Sequence, residues 1–381
     1  MVGMSQRFLL LQVITPHYHQ DAALRNMSEL EQLVTTYGGE TIEKSIQHRV
    51  KPHPATYIGS GKLEWLKETV KEKKIDVVVI NSLVNAGQLF RLTKALWEVN
   101  TRIAVWDRVD LILNIFDQHA TTTEAKLQIQ LARVEHTGPL IYGLGKTELS
   151  RQGGGIGTRG AGETNIEKER RNIKKLKYEI QQQLKQRTAE QAKRIQQRQA
   201  KGIRTVALVG YTSAGKTTLF NALTSKNRDM NQALFTTLDS VVGKLKISEY
   251  DPTVLVSDTI GFIDELPPAL IDAFRTTLME SLAAKILLHV IDVSDDQFED
   301  KMMVVDKILT ELNADQSIIL VFNKIDKVGQ EKLQYLQQKY AGHDMAFVSA
   351  YTKQGIDELK REISQRLGIK LYTESTVNST P

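Results

Sequence analysis

A short apolar segment, residues 205–209, runs directly into Gly210-Tyr211-Thr212-Ser213-Ala214-Gly215-Lys216-Thr217, and a helical spacing of Leu219, Phe220 and Leu223 follows. Strand, then G-x-x-x-x-G-K-[ST], then helix is the context a phosphate-binding loop requires. Gly210 and Gly215 allow the backbone to wrap closely around phosphate, and the amides of the loop and of the helix N-terminus then face its oxygens. Lys216 supplies a point charge for the β- and γ-phosphates, and the Thr217 hydroxyl is a candidate Mg²⁺ ligand, with Thr218 beside it. A chance glycine turn would not carry a strand before it and a helix after it.

Three further segments decide which nucleotide is bound. Residues 254–257 form an apolar strand pattern that ends in Asp258-Thr259-Ile260-Gly261. An aspartate there can hold Mg²⁺ through water, and the Gly261 N–H can meet the γ-phosphate. Residues 318–322 lead into Asn323-Lys324-Ile325-Asp326, and residues 346–348 lead into Ser349-Ala350. The two carboxylate oxygens of Asp326 can accept from guanine N1–H and its 2-amino group. Adenine offers neither donor, and a carboxylate left facing it would cost about 1–3 kcal/mol or more. Asn323 would brace the loop and the Lys324 stem would cover the base. The ordered series resembles the translation-factor-related GTPases. Phe235-Thr236-Thr237-Leu238-Asp239 lies between the first two motifs, and Thr237, with Thr236 as the alternative, is the expected switch ligand to Mg²⁺ and γ-phosphate.

Phe262 follows Gly261, where many small GTPases carry a glutamine that orients water. Phenylalanine cannot do so, and a group supplied in trans to such enzymes is worth ~10³–10⁵ in rate. Hydrolysis gated by a partner is the expectation, with Lys216, Thr237 and Gly261 as the catalytic candidates.

At 381 residues the chain exceeds one typical core, so several domains are expected. Residues 1–110 alternate short β-type runs (8–15, 41–47, 76–80, 102–106) with helical patterns (22–37, 62–73, 85–98), which implies a small α/β domain. Residues 111–200 read as a helical hairpin. Its second arm carries a narrow stripe of Ile173, Leu176, Ile180 and Leu184. The arms are joined through residues 150–162, where six glycines argue against regular structure. Residues 201–370 form the P-loop domain, a mainly parallel sheet flanked by helices, and residues 371–381 a polar tail expected to be disordered.

Charge is unevenly placed. The net charge is +5, yet residues 163–202 alone hold twelve Lys/Arg against five Asp/Glu. That segment is either a solvated helix face or a surface for a polyanion, and the neighbouring Arg151 and Arg159 in the glycine-rich stretch bring an RNA surface level with the solvated face. The chain has no cysteine, so disulfides, thiolate metal sites and cysteine nucleophiles are ruled out. No apolar run approaches the ~20 residues of a membrane span. The expected setting is the cytoplasm, with a fraction at the membrane, and the chain is expected to act as a monomer.

Tyr57-Ile58-Gly59-Ser60-Gly61-Lys62, Asp107-Arg108-Val109-Asp110-Leu111-Ile112, Glu124-Ala125-Lys126-Leu127-Gln128 and Gly153-Gly154-Gly155-Ile156-Gly157-Thr158-Arg159-Gly160-Ala161-Gly162-Glu163-Thr164 resemble the HflX family across nearly the whole chain. The resemblance implies an N-terminal α/β domain, a helical linker and a GTPase domain. It also implies Mg²⁺, binding to the large ribosomal subunit and its RNA, and a role in dissociating or rescuing stalled ribosomes under stress. Ser213 departs from the family's usual asparagine, a residue that helps hold the ion in potassium-activated GTPases, and residues 81–92 depart from its acidic, proline-containing pattern.

Gly59-Ser60-Gly61-Lys62 reads as a helix N-terminus rather than a second nucleotide site, since Thr56 and Leu63 occupy the remaining key positions. His17 and His19 lack the carboxylates a metal site would need. Two other functions remain open from sequence: a GTPase of ribosome assembly or tRNA maturation, and a regulatory GTPase with a protein partner.

Overall fold

The computed structural model describes residues 5–16, 20–149, 159–224, 241–245, 253–259, 261–263 and 281–369. The expectations for His17 and His19, for residues 150–158 including Arg151, for Phe235, Thr236 and Thr237, for Ile260 and for the tail lie outside those residues. The described residues fall into two compact units, one ending at Lys185 and the other beginning at Gln186.

The first unit is built on β1 (Arg7–Ile14), β2 (Glu40–His48), β3 (Val77–Ile80) and β4 (Ala104–Asp107), a parallel sheet in the order β2-β1-β3-β4. Parallel strands need crossovers, and α1 (Gln20–Tyr37), α2 (Ser60–Glu72) and α3 (Ala86–Leu96) supply them. β3 is buried at all four positions, as expected of a strand covered on both faces. On α1, Ala23, Met27, Leu30, Leu33 and Val34 make the buried stripe at helical spacing. The sequence Gly59-Ser60-Gly61-Lys62 does begin α2, with Gly59 as its N-cap.

α4 (Arg108–His119) starts abruptly because Asp107 and Asp110 cap it reciprocally. Asp107 Oδ1 accepts from the Asp110 N–H at 2.9 Å, and Asp110 Oδ2 accepts from the Asp107 N–H at 3.2 Å. Arg108 is buried and paired with Glu29 at 2.6 Å and with Asn81 Oδ1 at 2.9 Å. His136, on α5 (Thr123–Leu149), closes on the cap with Nε2 3.0 Å from Asp107 Oδ1. Burial alone would lower the His136 pKa, but the hydrogen bond to Asp107 and the charges of Asp107 and Asp110 outweigh it and raise it. Burial, then the Asp107 charge, raises Asp110 to about 6.

α5 pairs with α6 (Arg159–Ala200) through Leu127, Ile180 and Leu184. The helical hairpin is therefore real, with two corrections. Leu176 belongs to the expected stripe but is 46% exposed, so the seam is narrower than its spacing suggests. Residues 159–162 were expected to be irregular, yet they are the first turn of α6. Gly160 and Gly162 each cost about 1 kcal/mol in a helix relative to alanine, but extending an existing long helix avoids the larger penalty of nucleation.

The second unit holds a six-stranded sheet in the order β10-β9-β8-β5-β7-β6: β5 (Arg204–Val209), β6 (Val241–Lys244), β7 (Val254–Asp258), β8 (Ile286–Asp292), β9 (Ser317–Asn323) and β10 (Met345–Phe347). Among the described strands of this sheet, only the edge pair β6–β7 is antiparallel. Helices α7 (Lys216–Leu223), α8 (Phe298–Glu311), α9 (Gln330–Lys339) and α10 (Ile356–Arg366) accompany it. One face packs Val206, Leu208, Val256, Leu288, Ile319 and Val321 against Leu219, Phe220 and Leu223 of α7 and Leu359 and Ile363 of α10. Because the central strands are parallel, the carboxyl ends of β5, β7, β8 and β9 lie together, and there the motif residues meet.

Candidate nucleotide-binding site

β5 delivers Gly210 at its carboxyl end. A Cβ on Gly210 would lie 2.4 Å from the Val290 carbonyl, so the loop can run this close to β8 only without a side chain. At the other end of the loop, Gly215 is the N-cap of α7 with φ 94°, a left-handed conformation that side chains resist. Between them Ser213 also adopts positive φ, at 61°. Tyr211 and Thr212 are buried, and Ala214 packs into the core below.

Lys216 is buried, and its Nζ donates to the carbonyls of Gly210 at 3.0 Å and Tyr211 at 2.7 Å. Burial pulls its pKa down to about 8, with Asp258 pulling the other way. Thr217 donates from Oγ1 to Asp258 Oδ2 at 3.0 Å, which joins the first and second motifs directly. Thr259 is fully buried and its hydroxyl donates to the Leu208 carbonyl at 2.6 Å.

Gly261 lies against the same lysine: a Cβ there would stand 3.0 Å from Lys216 Nζ and 2.9 Å from Thr212 Cγ2. Phe262 is 3% exposed and fixed by its backbone on both sides, its N–H donating to Gly210 at 3.1 Å and its carbonyl accepting from Thr212 at 2.7 Å. Its side chain carries no polar group that could orient water, as its sequence position suggests. It also ties the second motif to the first, which the motif pattern does not reveal.

β9 ends in Asn323, 2% exposed, which bridges two motifs. Its Nδ2 donates to the Ala214 carbonyl at 2.8 Å and its Oδ1 accepts from the Ala350 N–H at 3.0 Å. Lys324 adopts φ 65° and leads into a short 3₁₀ turn, Ile325–Lys327, that carries Asp326 to the surface. Lys324 Nζ donates to the Ser213 carbonyl at 3.0 Å. Ser349 is fully buried and its Oγ accepts from the Thr352 N–H at 3.1 Å, shaping the turn that holds Ala350. Thus Gly210 to Thr217, Asp258, Thr259, Gly261, Asn323, Lys324, Asp326, Ser349 and Ala350 converge at one end of one sheet. Sequence reasoning missed Asp292, at the end of β8, which pairs with Lys324 at 2.5 Å. Its only sequence signal is an acidic residue closing an apolar run.

Known proteins resemble this chain along most of its length. Family models described as "GTP-binding GTPase N-terminal", "GTP-binding GTPase Middle Region" and "50S ribosome-binding GTPase" match residues 25–117, 119–198 and 205–324. The GTPase HflX of Caldanaerobacter subterraneus subsp. tengcongensis is 37% identical, over 95% of this chain and 81% of its own. The GTPase HflX of Escherichia coli is 35% identical, over 92% and 81%. That of Methanocaldococcus jannaschii is 34% identical, over 88% and 82%. Among solved structures, the complex of SsGBP with GDP aligns with a TM-score of 0.53 at 23% identity, covering 95% of this chain and 99% of that one, which supports the fold.

Proposed function

Since this chain belongs to the HflX family of GTPases, and so binds and hydrolyses GTP, we propose that it is a GTP-driven switch that docks on the large ribosomal subunit and dissociates or rescues stalled ribosomes. The observation that carries this reading is Phe262. The position that would orient the attacking water is apolar, buried and locked to the P-loop by two backbone hydrogen bonds. Efficient hydrolysis then needs a group from outside, which makes the enzyme a switch whose off-rate a partner controls. A partner rich in phosphate suits the exposed lysines and arginines along α6, including Lys168, Arg170, Arg171, Lys174, Lys175, Lys185 and Arg187.

In this reading Asp326 selects guanine, Asn323 fixes the base-side loops to the P-loop, and the loop amides cradle the phosphates. Lys216 exchanges its two carbonyl partners for phosphate oxygens and offsets the charge that develops on the β–γ bridge. The hydroxyl of Thr217 and the carboxylate of Asp258 stand side by side, a pair of hard oxygen donors that suits Mg²⁺, with Thr237 as the expected third. Mg²⁺ there would neutralise charge on the terminal phosphates. Arg151 and Arg159 in the glycine-rich stretch are proposed to engage ribosomal RNA, since glycines permit close backbone approach and guanidinium groups can bind phosphate or stack on bases.

Turnover of GTP by the isolated chain and with purified large or small subunits tests the proposal. Slow intrinsic turnover, raised well beyond tenfold by large subunits and less by small ones, is expected. A fast intrinsic rate indifferent to both would overturn it. Co-sedimentation of the Arg151→Ala/Arg159→Ala variant tests the RNA contact. Binding to large subunits should weaken and its salt dependence flatten, while melting temperature and nucleotide affinity stay unchanged.

A further inference from the structure

We propose that Asp292 is a positioning residue for nucleotide binding, acting through Lys324. Strands β8 and β9 run in register to their ends, so that Asp292 lies opposite Asn323 and the Val293 N–H donates to the Asn323 carbonyl at 3.1 Å. This places a carboxylate beside the lysine of the third motif. Asp292 Oδ2 meets Lys324 Nζ at 2.5 Å, and the same Nζ donates to the Ser213 carbonyl of the P-loop at 3.0 Å. The second carboxylate oxygen is held as well: Oδ1 accepts from the Ser294 N–H at 3.0 Å and from its hydroxyl at 2.6 Å. Asp292 is therefore an oriented anchor.

A lysine stem turns about several single bonds and gives up much of its rotamer freedom when fixed. One carbonyl is a weak reason for it to stay. The Lys324 side chain is 26% exposed, and its ammonium would otherwise turn toward water. The pairing with Asp292 keeps the stem across the mouth of the site and the Nζ on Ser213, so that one side chain braces the base side and the phosphate loop together. A second acidic residue of the same turn works alongside. Asp295 pairs with Lys301, whose Nζ lies 5.1 Å from the ring centroid of Tyr211, the P-loop's second residue. The end of β8 and the turn after it thus support the P-loop from two directions, though they belong to none of the nucleotide motifs.

The inference rests on the reading of Lys324 as part of the nucleotide site, and the experiment separates the two. Affinity for a fluorescent GDP is measured for the full chain with Asp292→Asn, Lys324→Ala and both together, alongside KM and kcat for GTP and melting temperature without nucleotide. Asp292→Asn keeps the shape of the side chain and its acceptor for Ser294. It should raise Kd and KM about tenfold and leave turnover at saturating GTP within twofold, because neither residue reaches the transferred phosphate. Lys324→Ala should cost at least as much, and the double variant no more than Lys324→Ala alone. Unchanged affinity in Lys324→Ala would defeat the reading of the site. A loss in Lys324→Ala but not in Asp292→Asn, additive losses, or a fall in kcat with KM unchanged would each overturn the role of Asp292. If Asp292→Asn does not fold, Asp292→Glu, which retains the charge, should bind within about threefold of the parent, and a tenfold loss there overturns the proposal.

Discussion

Raising the pH should weaken binding of GDP through Lys216 before it harms the fold. In the free site Lys216 Nζ is buried against two backbone carbonyls, and burial holds its pKa near 8 instead of the usual 10.5. A polyphosphate placed against the ammonium favours the charged form, because two opposite charges at 4 Å attract by about 4 kcal/mol at an effective dielectric of 20. Nucleotide binding therefore restores a high pKa and takes up a proton wherever the free lysine has lost one. The sign follows: affinity is full below pH 7 and falls as pH rises through about 8. With a free-state value of about 8, roughly a tenth of the lysine is neutral at pH 7 and roughly a tenth is still charged at pH 9, so Kd should rise about tenfold between them. Guanine loses its N1 proton in the upper part of this range, which would weaken any guanine nucleotide. GMP, which lacks the β-phosphate, provides the control. The ratio of GDP to GMP affinity, measured by calorimetry at several pH values, should fall about tenfold from pH 7 to 9. A ratio that stays flat would refute the argument that burial depresses Lys216.

Asn323→Ala strips the donor from the Ala214 carbonyl and the acceptor from the Ala350 N–H, both buried. At about 1–3 kcal/mol for each stranded group, nucleotide affinity should drop at least thirtyfold and the melting temperature should fall, as titration and calorimetry would report. Gly215→Ala would put a methyl 2.3 Å from Asn323 Nδ2 at φ 94°. It should cost about 1–3 kcal/mol in stability and bring affinity down with it, and wild-type binding would show that the loop tolerates a side chain. Asp326→Asn should lower affinity for GTP and shift preference toward xanthosine triphosphate, because an amide can donate to the oxygen that replaces guanine's 2-amino group. Competition between the two nucleotides measures it. His136→Ala should destabilise the chain by about 1–2 kcal/mol near pH 6, from loss of the charge-assisted bond to Asp107. The His136 pKa is raised on folding, so this contribution is present below its unfolded value and disappears as pH rises through the folded one. Denaturant melts of both proteins at pH 6 and 8.5 should show the difference shrinking.

What the sequence determined was the identity of the chemistry. A loop that wraps phosphate must have glycine where a Cβ would strike Val290 or Asn323, and a guanine reader must present a carboxylate. These demands fall on residues contiguous in the chain, so Gly210 to Thr217, Asp258 to Gly261 and Asn323 to Asp326 are legible as strings. Alternating apolar runs likewise announced two mainly parallel sheets, since a strand covered on both faces must be apolar throughout, as Val77–Ile80 is. Tertiary structure decided how the strings are held together. That Phe262 hydrogen-bonds Gly210 and Thr212 of the P-loop, that Asn323 spans Ala214 and Ala350, and that Asp292 grips Lys324 all depend on strand order and register, which bring polar atoms from distant parts of the chain into hydrogen-bond contact. The same holds for the miss at Leu176. Periodicity places four apolar residues on one face of α6, but only contact with α5 determines that Ile180 and Leu184 are covered and Leu176 is not. Local pattern carries what a segment prefers, and packing selects among those preferences, because burial energy is gained only where a partner surface arrives.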